Sequence, residues 1–533
     1  GMTRLVVVGN GMVGSRFVED VLAADAAGRF DITVVGAEAC EPYNRVLLSE
    51  VVAGKHDLSA LTLPTPDSPR LTVRRGASAA RLDRVDRVVE THDGERVRYD
   101  RLVLATGSDA RVPGLPGLGQ RDGLTAGVHA LRTIDDAREI VAATLNARHA
   151  VVLGAGVLGM EAACGLARRG VAVTVVHPAA ALMERQLDEE ASRVVESAMA
   201  GLGIDQRVGR GAVEALVERG RLTGLLLDDG QVIPADLLVL ATGTVPSTGL
   251  AAAAGLPVDR GIVVDAGLAS PADHRVAAIG DCAQPPEGGS GLVAQGWEQS
   301  RHLAARLCST TAVPGSWTPG ATSSAPGSSA TREAPHRAVG DVVRLKAHGL
   351  DVVTMGVCGS QRVDDPAQRT LRLSDPDLGR HVEVVVSGGL LVGATCVGAG
   401  TVAAELVTTY TRRVPVPADP AHLLLSALTP HPRGAVASPA DLPPEATVCR
   451  CNGVSKAAIA ACAQDGATTV DQVATATRAT TGCGGCLDDV CALLAALTTP
   501  TDTAPGPPAS ARTREQDVTK GKHMIHSAET AAS

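Results

Sequence analysis

Two stretches of this chain repeat one pattern, and few folds accommodate it. Leu5–Val8 runs into Gly9-Asn10-Gly11-Met12-Val13-Gly14 and then Ile32–Val35. Ala150–Leu153 runs into Gly154-Ala155-Gly156-Val157-Leu158-Gly159 and then Val171–Val176. Strand, glycine turn, helix and second strand make a βαβ unit of the kind that binds a dinucleotide. The first glycine permits the tight turn, the second lets backbone amides approach a pyrophosphate, and the third lets the helix pack against the strand. The helix N-terminus then favours the anion. The first copy ends its second strand near Glu38, placed to accept hydrogen bonds from an adenosine ribose. The second copy lacks that acid. Val175-Val176 leads to His177-Pro178 with no Arg in its place, so the choice between NADH and NADPH is open. His177 reads equally well as a solvated loop residue.

Length and composition bound what surrounds these units. A chain of 533 residues exceeds one ordinary core, so several domains are expected. Only two Phe, two Trp and three Tyr are present, which leaves Val, Leu and Ala to fill the cores. Any aromatic ring beside a cofactor comes from that short roster. A net charge of −9 argues against a nucleic-acid partner, which needs clustered positive charge. No apolar run approaches the roughly 20 residues of a membrane span. The opening Arg4-Leu5-Val6-Val7-Val8-Gly9 carries no leader pattern, so a cytoplasmic protein with reduced thiols and no membrane contact is expected.

Along the chain, the two units predict an α/β fold with two Rossmann-like domains, the first at 2–113 and 235–311 and the second at 114–234. Leu102–Leu104 ends in Ala105-Thr106-Gly107, and Leu237–Leu240 in Ala241-Thr242-Gly243. Each lets the chain cross between domains while its backbone stays close to a ligand. Val276–Ile279 delivers Asp281 after Gly280. A Pro-, Gly- and Ser-rich stretch at 312–337 reads as a flexible linker. Strand-like Val382–Val386 and Leu390–Val392 flank Ser387-Gly388-Gly389, and a small α+β domain is expected at 338–414. A Pro-rich linker at 415–444 leads to a small helical domain at 445–497, with short helices over Ser455–Cys462 and Val470–Ala476. A disordered tail at 498–533 follows.

Six of the twelve cysteines fall between Cys449 and Cys491. Cys449-Arg450-Cys451 and Cys483-Gly484-Gly485-Cys486 supply four thiolates, enough for a 2Fe–2S cluster, and the glycines let backbone N–H groups reach sulfur. Zinc also takes four cysteines, but its knuckles are usually paired C-x-x-C, and C-x-C suits it less well. Cys462 and Cys491 sit on apolar helical faces and read as core. Cys40, Cys164 and Cys282 stand singly, so no dithiol is poised beside the first unit. A single-cysteine peroxidase-type site at Cys40 is the alternative use of that thiol.

The order of these motifs resembles the two-dinucleotide-binding flavoproteins, which include ferredoxin reductases and pyridine nucleotide–disulfide reductases. That resemblance implies FAD at Gly9, Gly11, Gly14, Glu38 and Asp281, and Met12, Ala105, Thr106 and Gly107 are further cofactor-binding candidates. It implies NAD(P)H at Gly154, Gly156, Gly159 and Glu161, and Leu158, His177, Thr242 and Gly243 are further cofactor-binding candidates. The cysteine region resembles the bacterioferritin-associated ferredoxin-like domain, which implies a 2Fe–2S cluster on Cys449, Cys451, Cys483 and Cys486. Glu38-Ala39-Cys40-Glu41-Pro42-Tyr43-Asn44-Arg45-Val46-Leu47-Leu48-Ser49 and Leu182-Met183-Glu184-Arg185-Gln186-Leu187-Asp188 are similar to the N-terminal region of assimilatory NAD(P)H nitrite reductase large subunits. This adds Tyr43, Asn44 and Arg45 as flavin-side residues.

The large subunits continue into a sirohaem domain with further cysteines, whereas none follows Cys491 here. The resemblance therefore implies a FAD-dependent NAD(P)H:acceptor oxidoreductase serving as electron-transfer subunit to a separate catalytic nitrate or nitrite reductase subunit. No general acid, base or nucleophile is required of it. A reductase for a ferredoxin- or rubredoxin-type partner, or a flavin oxidase with a structural zinc domain, are the alternatives.

Overall fold

The computed structural model describes residues 1–309, 342–359, 362–425 and 438–498. The linker expected at 312–337, the middle of the Pro-rich stretch and nearly all of the tail expected at 498–533 lie outside them.

The apolar runs flanking each glycine turn become parallel strands, buried because helices cover the sheet. In the first sheet the order is Ala269–Ser270, Asp273–Ala278, Arg101–Leu104, Thr3–Val8, Phe30–Gly36 and Leu71–Arg75. All neighbours are parallel except the Ala269–Ser270 edge. The second sheet runs Val128–Ala130, Leu237–Leu240, His149–Leu153, Ala172–His177 and Asp205–Val208, parallel throughout. A three-stranded antiparallel meander accompanies each, at 79–98 and at 212–234. Ser108–Ala110 pairs antiparallel with Thr244–Pro246 where the chain crosses between the units.

One expected boundary moves. A first domain resuming at 235 includes Leu237–Leu240, but this strand pairs with Val128–Ala130 and His149–Leu153 in the second sheet. The reason is the internal duplication. Each Ala-Thr-Gly turn ends a strand of its own sheet, so the crossing comes after that turn.

Beyond the two units, Val343–Ala347, Leu350–Gly356, Leu390–Val397, Arg380–Ser387 and Arg369–Asp375 form an antiparallel sheet in that order. The hairpin expected at Ser387-Gly388-Gly389 is present. Side chains alternate across the Leu350–Gly356 strand. Val353 and Met355 pack toward helix Gly400–Thr411, while Val352 joins the core of the second unit. The cysteine region is a small hairpin and three helices, Lys456–Gln464, Val470–Thr477 and Leu487–Thr498. They close over Ile459, Val473, Val490 and Leu493. Among the described residues, no helix is long and apolar enough to cross a membrane.

Candidate functional site

The two glycine turns match bond for bond. Gly9 N–H donates to the Val35 carbonyl at 2.8 Å, and Gly154 N–H to the Val176 carbonyl at 2.8 Å. Ala105 N–H meets the Val8 carbonyl at 2.8 Å, and Ala241 N–H the Leu153 carbonyl at 2.8 Å. Gly9 adopts φ +113° and Gly154 φ +105°, where L side chains are strained. A Cβ at Gly9 would overlap the Ala105 carbonyl, and one at Gly154 the Ala241 carbonyl. At Gly14 and Gly159 it would strike the carbonyls of Gly9 and Gly154.

The middle glycines differ from these. A Cβ at Gly11 or Gly156 would meet nothing within 4 Å, so their backbones face open space. Helices Met12–Ala24 and Val157–Arg168 begin there without a side-chain cap and without an acid in the first turn. Helices Ile134–Thr144 and Glu189–Gly201, by contrast, are capped by Thr133 and Asp188 and carry acids in the first turn. Uncapped N–H groups beside open backbone fit a pyrophosphate. The residues at both turns therefore suit a dinucleotide.

Around the first turn, Glu38 accepts from the Tyr43 hydroxyl at 2.7 Å and pairs with Arg45. Tyr43 in turn accepts from Ile134 N–H at 2.9 Å. Thr106 and Gly107 lie at the crossing, with the Thr106 hydroxyl donating to the Ser247 carbonyl at 2.8 Å. Thr242 does the same toward the Arg111 carbonyl at 2.8 Å. Asp281 follows Gly280, at φ +77°, and accepts from Ser108 Oγ at 3.1 Å. Arg132, which no sequence signal singled out, reaches Asp281 at 3.4 Å and the Ser108 carbonyl at 2.9 Å.

The Cys40 thiol sits 4.0 Å from the Glu38 carboxylate. Burial, and then that carboxylate, hold it above the usual thiol range, the opposite of what a reactive thiolate needs.

Asn44 does something the sequence did not foreshadow. It is buried, and its Nδ2 donates to the carbonyls of Thr480 and Gly482 at 2.9 and 2.8 Å. The one residue between Tyr43 and Arg45, the two partners of Glu38, is thus tied to the loop before Cys483. Trp297 packs where a Cβ on Gly482 would stand, beneath the Arg16 guanidinium at 4.4 Å. Arg16 also bonds Asn452 at 3.2 Å, and Arg478 pairs with Glu19 at 2.8 Å. A second tie runs through His56, whose ring bridges Asp488 at 2.9 Å and Glu50 at 3.1 Å. Hydrogen bonds to those two acids push His56 up to about 9.

The four cysteines of the two pairs converge. Cys449 and Cys451 sulfurs lie 3.7 Å apart, and Cys483 is 3.8 Å from Cys451. Cys486 contacts Cys449, which it and Cys451 draw far below the usual thiol range through hydrogen bonds, Cys451 most strongly. Asn452 Nδ2 approaches Cys449 and Cys451 at 3.8 and 3.7 Å, and backbone N–H groups of Thr480 and Gly485 reach Cys449 and Cys483.

One tetrahedral zinc would set all six sulfur pairs at about 3.8 Å. No three of these sulfurs lie within 4.8 Å of one another. They form an extended string, which fits two irons better than one zinc. Arg478 and Thr480 hold positive φ (64° and 70°) in the loop leading to Cys483, non-glycine strain of the kind that clusters at functional sites. Cys462 and Cys491 pack partly buried against apolar cores.

In the second unit, His177 is not a solvated loop residue. It ends strand Ala172–His177, is 8% exposed, and its Nδ1 accepts the Ala155 N–H at 3.1 Å. Glu161 lies in the second turn of helix Val157–Arg168 and accepts from Ser49 Oγ at 2.6 Å. Its packed surroundings push the carboxyl up to about 7, the Ser49 bond opposing. Met183 to Asp188 dock the α+β domain. Arg362 reaches Asp188 at 3.1 Å and Glu383 at 2.6 Å, and Gly359 packs against the Arg185 and Gln186 backbone.

Comparison with known proteins adds the following. Residues 3–304 match the family model described as pyridine nucleotide-disulphide oxidoreductase, and residues 447–496 the BFD-like [2Fe-2S] binding domain. The chain is 32% identical to the nitrite reductase [NAD(P)H] of Bacillus subtilis (strain 168), over 91% of this chain and 56% of that one. It is 30% identical to the assimilatory nitrate reductase electron transfer subunit of the same organism, over 94% and 61%. It thus spans little more than half the length of these curated relatives. Among solved structures, the ferredoxin reductase for the CYP199A2 system from Rhodopseudomonas palustris superposes with a TM-score of 0.61. It is 26% identical and covers 74% of this chain and 91% of that one.

Proposed function

The chain belongs to the pyridine nucleotide-disulphide oxidoreductase family, and from that premise we propose that it passes electrons from NAD(P)H through FAD to a 2Fe–2S cluster. The recipient is a separate catalytic nitrate or nitrite reductase chain in the cytoplasm. FAD belongs at the turn 9–14 with Glu38, Thr106, Gly107 and Asp281, and the nicotinamide nucleotide at the turn 154–159 with Thr242 and Gly243. Bound FAD exchanges a two-electron donor for one-electron carriers, which a hydride source feeding a cluster requires.

The protein's own part is placement. The open backbones of Gly11 and Gly156 and the uncapped helices behind them take the pyrophosphates. Tyr43 and Arg45 hold Glu38 in position for a ribose. The observation that carries the proposal is Asn44. A single three-residue segment serves the Glu38 side of the flavin unit at Tyr43 and Arg45, and grips the cluster loop at Asn44. Asn44 therefore joins the backbone that would flank FAD to the loop whose Cys483 would help hold the cluster. The identity of the terminal acceptor rests on likeness to the nitrite and nitrate reductase relatives.

Purified protein should release FAD and contain two irons and two acid-labile sulfides per chain. FMN in the extract would overturn the role of the first turn, and zinc without sulfide that of the cysteines.

A further inference from the structure

We propose that Glu184 is the acid that selects NADH over NADPH, with His177 as its positioning residue. The proposal rests on the second turn being the nicotinamide nucleotide site. In a βαβ unit, a strand-end carboxylate accepts from the adenosine ribose hydroxyls and repels a 2′-phosphate. His177 occupies that strand end here.

The ring's hydrogen bonds define its form. Nδ1 accepts the Ala155 N–H at 3.1 Å and so carries no proton. Nε2 therefore bears it and donates to Glu184 Oε2 at 2.7 Å. A neutral imidazole thus bridges from the glycine turn to a carboxylate supplied by a later loop.

That loop is built to aim Glu184. Met183 is buried and holds φ +49°, a conformation L residues rarely keep unless their surroundings impose it. Its N–H donates to the Ala155 carbonyl at 2.9 Å, and its carbonyl accepts from Gln186 and Leu187 N–H, each at 2.8 Å. Residue 183 is fixed on both sides, and the side chain after it points at the ring. The Glu184 side chain remains 42% exposed, open to a ligand beside the strand end.

The nearby cations are placed less well for a phosphate. Arg210 N–H bonds the His177 carbonyl, but its guanidinium faces Asp229 at 3.5 Å and Asp228 at 3.8 Å. Arg185 follows Glu184 and is exposed, so it is the residue a 2′-phosphate would have to recruit.

The test uses the full-length, FAD-loaded protein with anaerobic bleaching of the flavin by NADH or NADPH as readout. FAD content serves as the check on folding. Wild-type protein should favour NADH. Glu184→Gln should lower kcat/KM for NADH about 10- to 100-fold, chiefly through KM, the loss expected for one charge-assisted hydrogen bond. Use of NADPH should hold or rise. Glu184→Arg should invert the preference. His177→Ala should erode selectivity, and His177→Gln, which can both accept and donate, should restore part of it.

A wild-type preference for NADPH, or an unchanged nucleotide ratio in FAD-replete Glu184→Gln and Glu184→Arg, would overturn the proposal while leaving the second turn as the nicotinamide site. Bleaching by neither nucleotide would overturn that assignment and this one together.

Discussion

The turns at 9–14 and 154–159 share strand order, glycine geometry and uncapped helices, yet each unit has acquired a different neighbour and a different way of presenting a carboxylate. In the first, Glu38 comes directly off the strand and is held by Tyr43 and Arg45. In the second, the strand ends in His177 and the acid arrives from a loop. The first unit grips the cluster domain through Asn44, Trp297 and Arg16. The second grips the α+β domain through Asp188 and the Arg185 backbone. The difference teaches that the turn is a generic anion cradle. What each cradle connects to is decided by residues outside it.

The comparison is broken most forcefully at the glycines. Gly9→Ala and Gly154→Ala each add a Cβ overlapping a backbone carbonyl at positive φ. Each should cost about 2–4 kcal/mol even without ligand, seen as an earlier unfolding midpoint. Gly11→Ala and Gly156→Ala meet nothing within 4 Å and should leave the ligand-free midpoint nearly unchanged while weakening FAD or NADH binding. Equal destabilisation by all four would end the claim that the middle glycines serve the ligand.

A smaller effect separates the desolvated acid of the second unit from the paired acid of the first. Glu161 is pushed up to about 7 by its packed surroundings, so the folded chain holds a proton that the unfolded chain has released. Its stability contribution is present below about pH 4.5 and is lost as pH rises through about 7, by up to about 3 kcal/mol. Denaturant titrations of Glu161→Gln should be flatter with pH across that window. A slope identical to wild type would show that the carboxyl is not desolvated.

Asn44 tests the neighbour of the first unit. Asn44→Ala leaves two carbonyls of the cluster loop without their donor, which should cost about 2 kcal/mol and slow flavin-to-cluster transfer. Bleaching by NADH should be unaffected. Slowed bleaching would mean that Asn44 serves the nucleotide rather than the cluster.

How much of this was legible in the sequence follows from how local each signal is. The glycine turns, the buried Val- and Leu-rich strands and the Ser387-Gly388-Gly389 hairpin are encoded within a few residues. They appear where spacing and turn chemistry placed them. The two cysteine pairs were legible for the same reason, because few uses other than a metal or cluster need four thiols so spaced. The sheet of Leu237–Leu240 is not legible because its own residues do not say which side of the crossing they lie on. Asn44 and Thr480 are separated by 436 positions, and no periodicity links them. The two readings of His177 stayed equal in the sequence because Ala155 N–H and Glu184, which bury and bond it, meet it only in the folded chain. Arg132 stayed hidden among many arginines for want of any local pattern.

The order of carriers is the central claim, and replacing Cys483 and Cys486 with Ser tests it most directly. After anaerobic mixing of the double variant with NADH, the flavin should bleach at nearly the wild-type rate. Ferricyanide reduction, which draws on flavin, should largely persist, while reduction driven through the separate catalytic chain collapses. A double variant that lacks iron yet still drives that chain at near wild-type rate would contradict the account.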